Sequence, residues 1–149
     1  MSLFIRIFAT WGGSGYAPVA SGTFGTLAAI PFYLLLAKLS LPLYLLTLTA
    51  FFFLSCWVSG RAEIIFKEKD SGKIVIDEVV GYLVTMIAIP LDWRYIVAGF
   101  LLFRFFDIVK PPPARWFDQK VKNGYGVVLD DVAAGVYAWL CLLLLTRFV

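Results

Sequence analysis

The sequence predicts an all-α fold, a multi-pass membrane bundle of about five apolar helices in a single domain spanning residues 1–149, with its N-terminus in the cytosol. Three observations carry that prediction. The chain is 61% hydrophobic and only 15% charged, against about 45–50% and about 25% in soluble domains. Its mean hydropathy is +0.86. Its apolar residues fall in long runs of Leu, Ala, Phe and Ile without the period-two alternation of strands.

In chain order, residues 1–10 carry Arg6 and no small-residue cleavage site after an apolar core, and read as a short amphipathic lead-in along the interface rather than a signal peptide. Five runs follow: Phe24–Ala37, Leu41–Gly60, Val79–Leu91, Tyr95–Phe106 and Val132–Val149. Only the second reaches the roughly 20 residues that a ~30 Å hydrocarbon core demands. The shorter runs need their flanks to complete a crossing, which brings bordering polar groups close to the membrane edge.

Basic residues orient the bundle. With the N-terminus inside, Arg6, Arg61, Lys67, Lys69, Lys73, Lys110, Arg115, Lys120 and Lys122 fall on the cytosolic side, and Lys38, Arg94 and Arg147 on the other. That asymmetry follows the positive-inside rule. The same assignment puts every acidic residue except Asp92 on the cytosolic side, several of them abutting a span, where an uncompensated charge is costly.

Composition also excludes function classes. Histidine is absent, which removes Ser-His-Asp and Cys-His centres and any imidazole base. Cys56 and Cys141 lie singly in apolar runs and read as small buried hydrophobes. Cys56 and Arg61 form C-x4-R, one residue short of the cysteine-phosphatase loop, and their spacing is coincidental. No dense basic and aromatic tract suggests a nucleic-acid partner.

Four segments carry possible chemistry. Gly12-Gly13-Ser14-Gly15 and Ser21-Gly22-Thr23-Phe24-Gly25-Thr26 precede the first run; Ser21 and Thr23 suit either a phosphate cradle or a helix N-cap. Asp77-Glu78 opens the third run, as a helix cap or as metal ligands. Arg104, Asp107 and Lys110 are spaced by three on one helical face; they form a salt-bridge ladder or, equally, an acid for a metal between two cations for phosphate. Asp130-Asp131 repeats the acidic pair at the last run. Asp77, Glu78, Asp107, Asp130 and Asp131 drawn together from separate helices would repel one another prohibitively without cations, and hard oxygen ligands point to Mg2+.

With these motifs in order, the chain resembles the phosphatidylglycerophosphatase A family of bacterial membrane enzymes. The likeness runs from Ser21-Gly22-Thr23-Phe24-Gly25-Thr26-Leu27, through Ile76-Asp77-Glu78-Val79-Val80-Gly81 and Phe103-Arg104-Phe105-Phe106-Asp107-Ile108-Val109-Lys110-Pro111, to Gly126-Val127-Val128-Leu129-Asp130-Asp131-Val132-Ala133-Ala134-Gly135. Pro112-Pro113-Ala114 departs from the family pattern and affects the local loop shape. The resemblance implies a helical phosphatase domain in the bacterial inner membrane, its active site facing the cytosol, that converts phosphatidylglycerophosphate to phosphatidylglycerol and phosphate with Mg2+. It implies catalytic roles for Asp107, Asp77 and Asp130, metal ligation by Asp77, Glu78, Asp107, Asp130 and Asp131, and phosphate binding by Ser21, Thr23, Arg61, Arg104 and Lys110. Attack by water and attack by an aspartate, Asp107 first, both fit these residues. The competing reading, a small cation transporter or channel using the same carboxylates, calls for acids scattered through the spans and internal repeats.

Overall fold

A computed structural model of the chain describes residues 2–12, 21–66, 75–109 and 124–148. Among these residues the structure is helical, without strands: α1 Ser2–Ala9, α2 Ser21–Leu36, α3 Leu41–Phe66, α4 Ile76–Thr85, α5 Trp93–Val109 and α6 Gly124–Phe148. Two helices are long and apolar enough to cross a membrane, α3 over Leu41–Ala62 and α6 over Val128–Phe148; the apolar part of α2, Gly25–Leu36, is shorter. Outward-facing Leu46, Phe53, Leu101 and Leu144 are more than half exposed, the inverse of a water-soluble surface.

The central element is α4, all ten of whose residues are buried. It packs chiefly against α6 and also against α2, α3 and α5. At ten residues it rises only about 15 Å. The run expected to continue to Leu91 instead breaks at Met86–Ala88, where Ala88 adopts a positive φ of 58°; Pro90 disfavours helix in the residue before it. Tyr44 Oη on α3 donates to the Leu83 carbonyl at 2.6 Å, and Trp139 Nε1 on α6 donates to the Ile87 carbonyl at 2.8 Å. These bonds satisfy carbonyls at the frayed end of α4 that no longer have helical partners.

The opposite end is tied by α1. Ile5 and Ala9 are buried while Leu3, Phe4 and Ile7 are exposed, so among the described side chains the outward face of α1 is apolar. The Val75 amide, just before α4, donates to the Ala9 carbonyl at 2.7 Å. Trp11 Nε1 donates to the Ala28 carbonyl of α2 at 3.0 Å, and its ring packs with Phe32 and Phe51.

Three helices extend beyond the limits that hydropathy indicates. Helix α3 continues past Gly60 to Phe66, α5 continues past Phe106 to Val109, and α6 begins at Gly124 rather than Val132. Asp107 therefore lies within α5, and Asp130 and Asp131 lie well inside α6. Apolarity marks where a helix meets lipid; it does not mark where the backbone hydrogen bonds stop.

Candidate active site

The acids come from three helices. Asp77 and Glu78 occupy the first turn of α4, where the helix dipole favours carboxylates. Asp130 and Asp131 are six and seven residues beyond the start of α6 at Gly124, past the turn over which that dipole acts, so capping does not account for them. Asp107 is near the end of α5. All five are at most 9% exposed, Asp131 only 1%.

Their carboxylates form two adjoining triads. Oxygens of Asp77, Asp130 and Asp131 all lie within 4.8 Å of one another, and so do oxygens of Glu78, Asp107 and Asp131. Asp131 is common to both and so bridges the α4–α5 side of the cluster to the α4–α6 side. Its Oδ2 is buried without a hydrogen-bond partner, an expensive state for a carboxylate unless something positive meets it. Either triad could hold a metal ion.

Arg104, one turn before Asp107 on α5, faces the same cluster. Its Nη1 donates to Glu78 Oε2 at 3.1 Å and to Asp107 Oδ2. The spacing-by-three ladder and the acid cluster are thus one structure: the arginine crosses from its own helix to α4. Its Nε is buried and unpartnered. Among the described residues one guanidinium faces five carboxylates, a surplus of negative charge that low-dielectric surroundings do not tolerate without further cations or protons.

The other expected phosphate ligands fall differently. Lys110 and Gly13–Gly15 lie outside the described residues. Ser21 and Thr23 sit in the first turn of α2, and their side chains are outside the described ones. Arg61 is exposed, with its guanidinium 6.0 Å from the centroid of the Trp57 ring; among the described residues no ion pair joins it to the acids. Cys56 is buried, Cys141 half-buried, and both are free thiols.

Three residues outside the expected set position the acids. A Cβ at Gly81 would stand 2.3 Å from Phe103 Cε1 and 2.9 Å from the Asp131 carbonyl oxygen; one at Gly135 would stand 2.5 Å from the Gly81 carbonyl oxygen. Only glycine permits so close an approach of α4 and α6. Each of these residues is one turn from an acid on its own helix: Gly81 from Asp77, Gly135 from Asp131, Phe103 from Asp107. The sequence holds a trace of this, since both acidic pairs are followed by a glycine one turn on.

This architecture defines a class, an all-helical protein with membrane-length apolar helices and a buried acidic centre able to hold a metal ion. The chain belongs to the phosphatidylglycerophosphatase A family, whose sequence model matches residues 7–146. It is 43% identical to phosphatidylglycerophosphatase A of Haemophilus influenzae over 136 residues, covering 90% of this chain and 83% of that protein. It is 41% identical to phosphatidylglycerophosphatase A of Escherichia coli over 125 residues, covering 83% and 73%. A Bacteroides thetaiotaomicron protein, provisionally named phosphatidylinositol-3-phosphatase, is 40% identical over 136 residues, covering 86% and 84%. No solved structure matches the chain.

Proposed function

We propose that this protein is a lipid phosphatase that hydrolyses phosphatidylglycerophosphate to phosphatidylglycerol and phosphate, using Mg2+, at the cytosolic face of the bacterial inner membrane. The observation that carries the reading is the pair of carboxylate triads sharing Asp131, in a chain whose relatives bear the name of that activity. A transporter reading lacks comparable support, because the acids gather at one end of the bundle instead of marking a path through it.

The donor set fits magnesium: every candidate ligand is a hard carboxylate oxygen, and the orphaned Asp131 Oδ2 has the chemistry of a ligand atom. Asp77, Glu78, Asp107, Asp130 and Asp131 would hold the ion. Magnesium bound there supplies positive charge against the phosphate and acidifies water for attack.

The chain's own residues do the rest. Arg104 orients Glu78 and Asp107 through Nη1 and has Nε left to meet a phosphoryl oxygen as charge develops on it. Asp107, Asp77 and Asp130 are the catalytic candidates. One of them takes the proton of the attacking water as the P–O ester bond breaks and returns it to the departing lipid oxygen, or Asp107 attacks phosphorus, the lipid alcohol leaves, and water then hydrolyses the aspartyl phosphate to free the carboxylate. Lys110, Ser21, Thr23 and Arg61 remain the candidates for the phosphate grip that the sequence motifs supply.

Five crossings by α2–α6 with a cytosolic N-terminus are supported by the distribution of basic residues. Helix α4, walled by its neighbours, completes its passage through the non-helical segment that leads to α5.

Purified protein in mixed micelles is expected to release phosphate from phosphatidylglycerophosphate with Mg2+, to stop on addition of EDTA, and to leave soluble glycerophosphate nearly untouched. Turnover that survives EDTA sinks the metal role, and inertness towards every phospholipid monoester sinks the assignment as a whole.

A further inference from the structure

The five acids divide into two sets. Asp77 and Asp130 group with Asp131, and Glu78 and Asp107 group with Asp131, the oxygens of each set lying within 4.8 Å of one another. The division follows from helix geometry. Asp77 and Glu78 are neighbours in the first turn of α4, and at 3.6 residues per turn successive side chains point about 100° apart. Asp77 therefore joins the acids of α6 while Glu78 turns to Asp107 on α5, where Arg104 Nη1 bonds both. Asp131 alone belongs to both sets.

Asp131 has the chemistry of a bridge. It is 1% exposed, and its Oδ2 has no hydrogen-bond partner. An ionised carboxylate offers two oxygens with about four lone-pair sites between them, and a buried oxygen that meets no donor is costly unless a cation faces it. Charge points the same way. Among the described residues five carboxylates face one guanidinium, a net charge of −4 with all six groups ionised. One divalent ion halves that charge and two cancel it.

We infer that the acidic centre holds two divalent ions, one in each triad, and that Asp131 is the ligand they share. The inference rests on the metal-dependent hydrolase reading and deepens it from an ion site to a paired one. Asp77 and Asp130 serve the first ion, Glu78 and Asp107 the second, and the carboxylate of Asp131 links them. Paired sites of this kind hold their ions about 3.5–4 Å apart and suit transfer of a phosphoryl group, whose attacking and leaving oxygens both gather charge.

The test counts ions and asks whether they touch. Mn2+ takes the same oxygen ligands as Mg2+ and is paramagnetic, so full-length protein in detergent, stripped with EDTA and desalted, is titrated with Mn2+ and followed by electron paramagnetic resonance. The wild type is expected to bind two ions per chain and to show exchange coupling between them. Glu78→Gln and Asp130→Asn, which each damage a different triad, are expected to keep one ion and lose the coupling. Asp131→Asn is expected to lose the coupling whether one ion remains or none. A wild-type protein that saturates with one ion, or binds two without coupling, overturns the paired centre and leaves the hydrolase reading in place. A wild-type protein that binds no ion defeats the metal reading and the bridge together. The wild-type count and spectrum decide the matter even where a variant fails to fold.

Discussion

The Gly135 backbone lies so close to Gly81 that a Cβ on Gly135 would come within 2.5 Å of the Gly81 carbonyl oxygen. That contact sets the distance between α4 and α6 one turn below Asp77 and Asp131, and with it the width of the first carboxylate triad. Gly81→Ala and Gly135→Ala should therefore each lower thermal stability, by about 1–3 kcal/mol as overpacked interiors do, and reduce phosphatase turnover more than their stability loss alone explains. Denaturation in detergent alongside activity measures both; a stable and fully active Gly135→Ala would show that the helices can part without consequence.

Asp131 is shared by both triads, so Asp131→Asn should be the most damaging single carboxylate change. Turnover is expected to fall at least about 10²-fold, as for the loss of a catalytic group. Stability should move the other way: in EDTA the variant is expected to melt no lower than wild type, because a crowded negative charge has been removed. Asp107→Asn, Asp130→Asn and Asp77→Asn should also cost about 10²-fold. Near-normal rates in all four would dispose of the acidic centre as the reaction site.

Arg104→Gln keeps a donor but removes the cation that faces Glu78 and Asp107. Losing charge-assisted hydrogen bonds is expected to cost about 1.5–3 kcal/mol, and Mg2+ should recover part of it by supplying replacement charge. Melting curves with and without Mg2+ decide the point: an equal deficit in both conditions would mean the arginine and the ion do not compensate the same carboxylates.

If the cluster binds Mg2+ only when folded, the wild-type midpoint must climb with ion concentration, the stabilisation reaching roughly 2.7 kcal/mol at a hundred times the dissociation constant. Asp131→Asn should flatten that climb. Calcium, larger and less strict in geometry, is a useful comparison, and a midpoint indifferent to divalent ions would remove the physical basis for so many buried acids.

Asp92, in the turn before α5 at the opposite end of the bundle, supplies the control. Its carboxylate accepts from the Arg94 amide at 3.0 Å and from Nη2 at 3.0 Å, and these bonds hold its pKa below the ordinary aspartate value. A folded-state pKa below the unfolded one stabilises above the unfolded value, about 3.9, and the benefit disappears as pH falls through the lowered folded value. Asp92→Asn should thus leave turnover unchanged and alter stability only slightly at neutral pH. A large loss of phosphatase activity would contradict the one-ended placement of the chemistry.

Helices, their apolar character and the identity of the five acids were all legible in the amino-acid order, because hydropathy and the carboxylate chemistry of a residue are local properties. The limits of those helices were less so. The third apolar run reads to Leu91, yet α4 ends at Thr85, and Asp130-Asp131 reads as the opening of a helix that in fact starts at Gly124. Arg104 was open to two interpretations, ladder or site, and only its bond to Glu78 on another helix unites them. What the sequence alone determined is which groups are available and that they border apolar segments. What tertiary structure decided is that they meet: two glycines and Phe103 let three helices close to backbone distance, and contact between segments fifty residues apart is a matter of shape that no local pattern encodes.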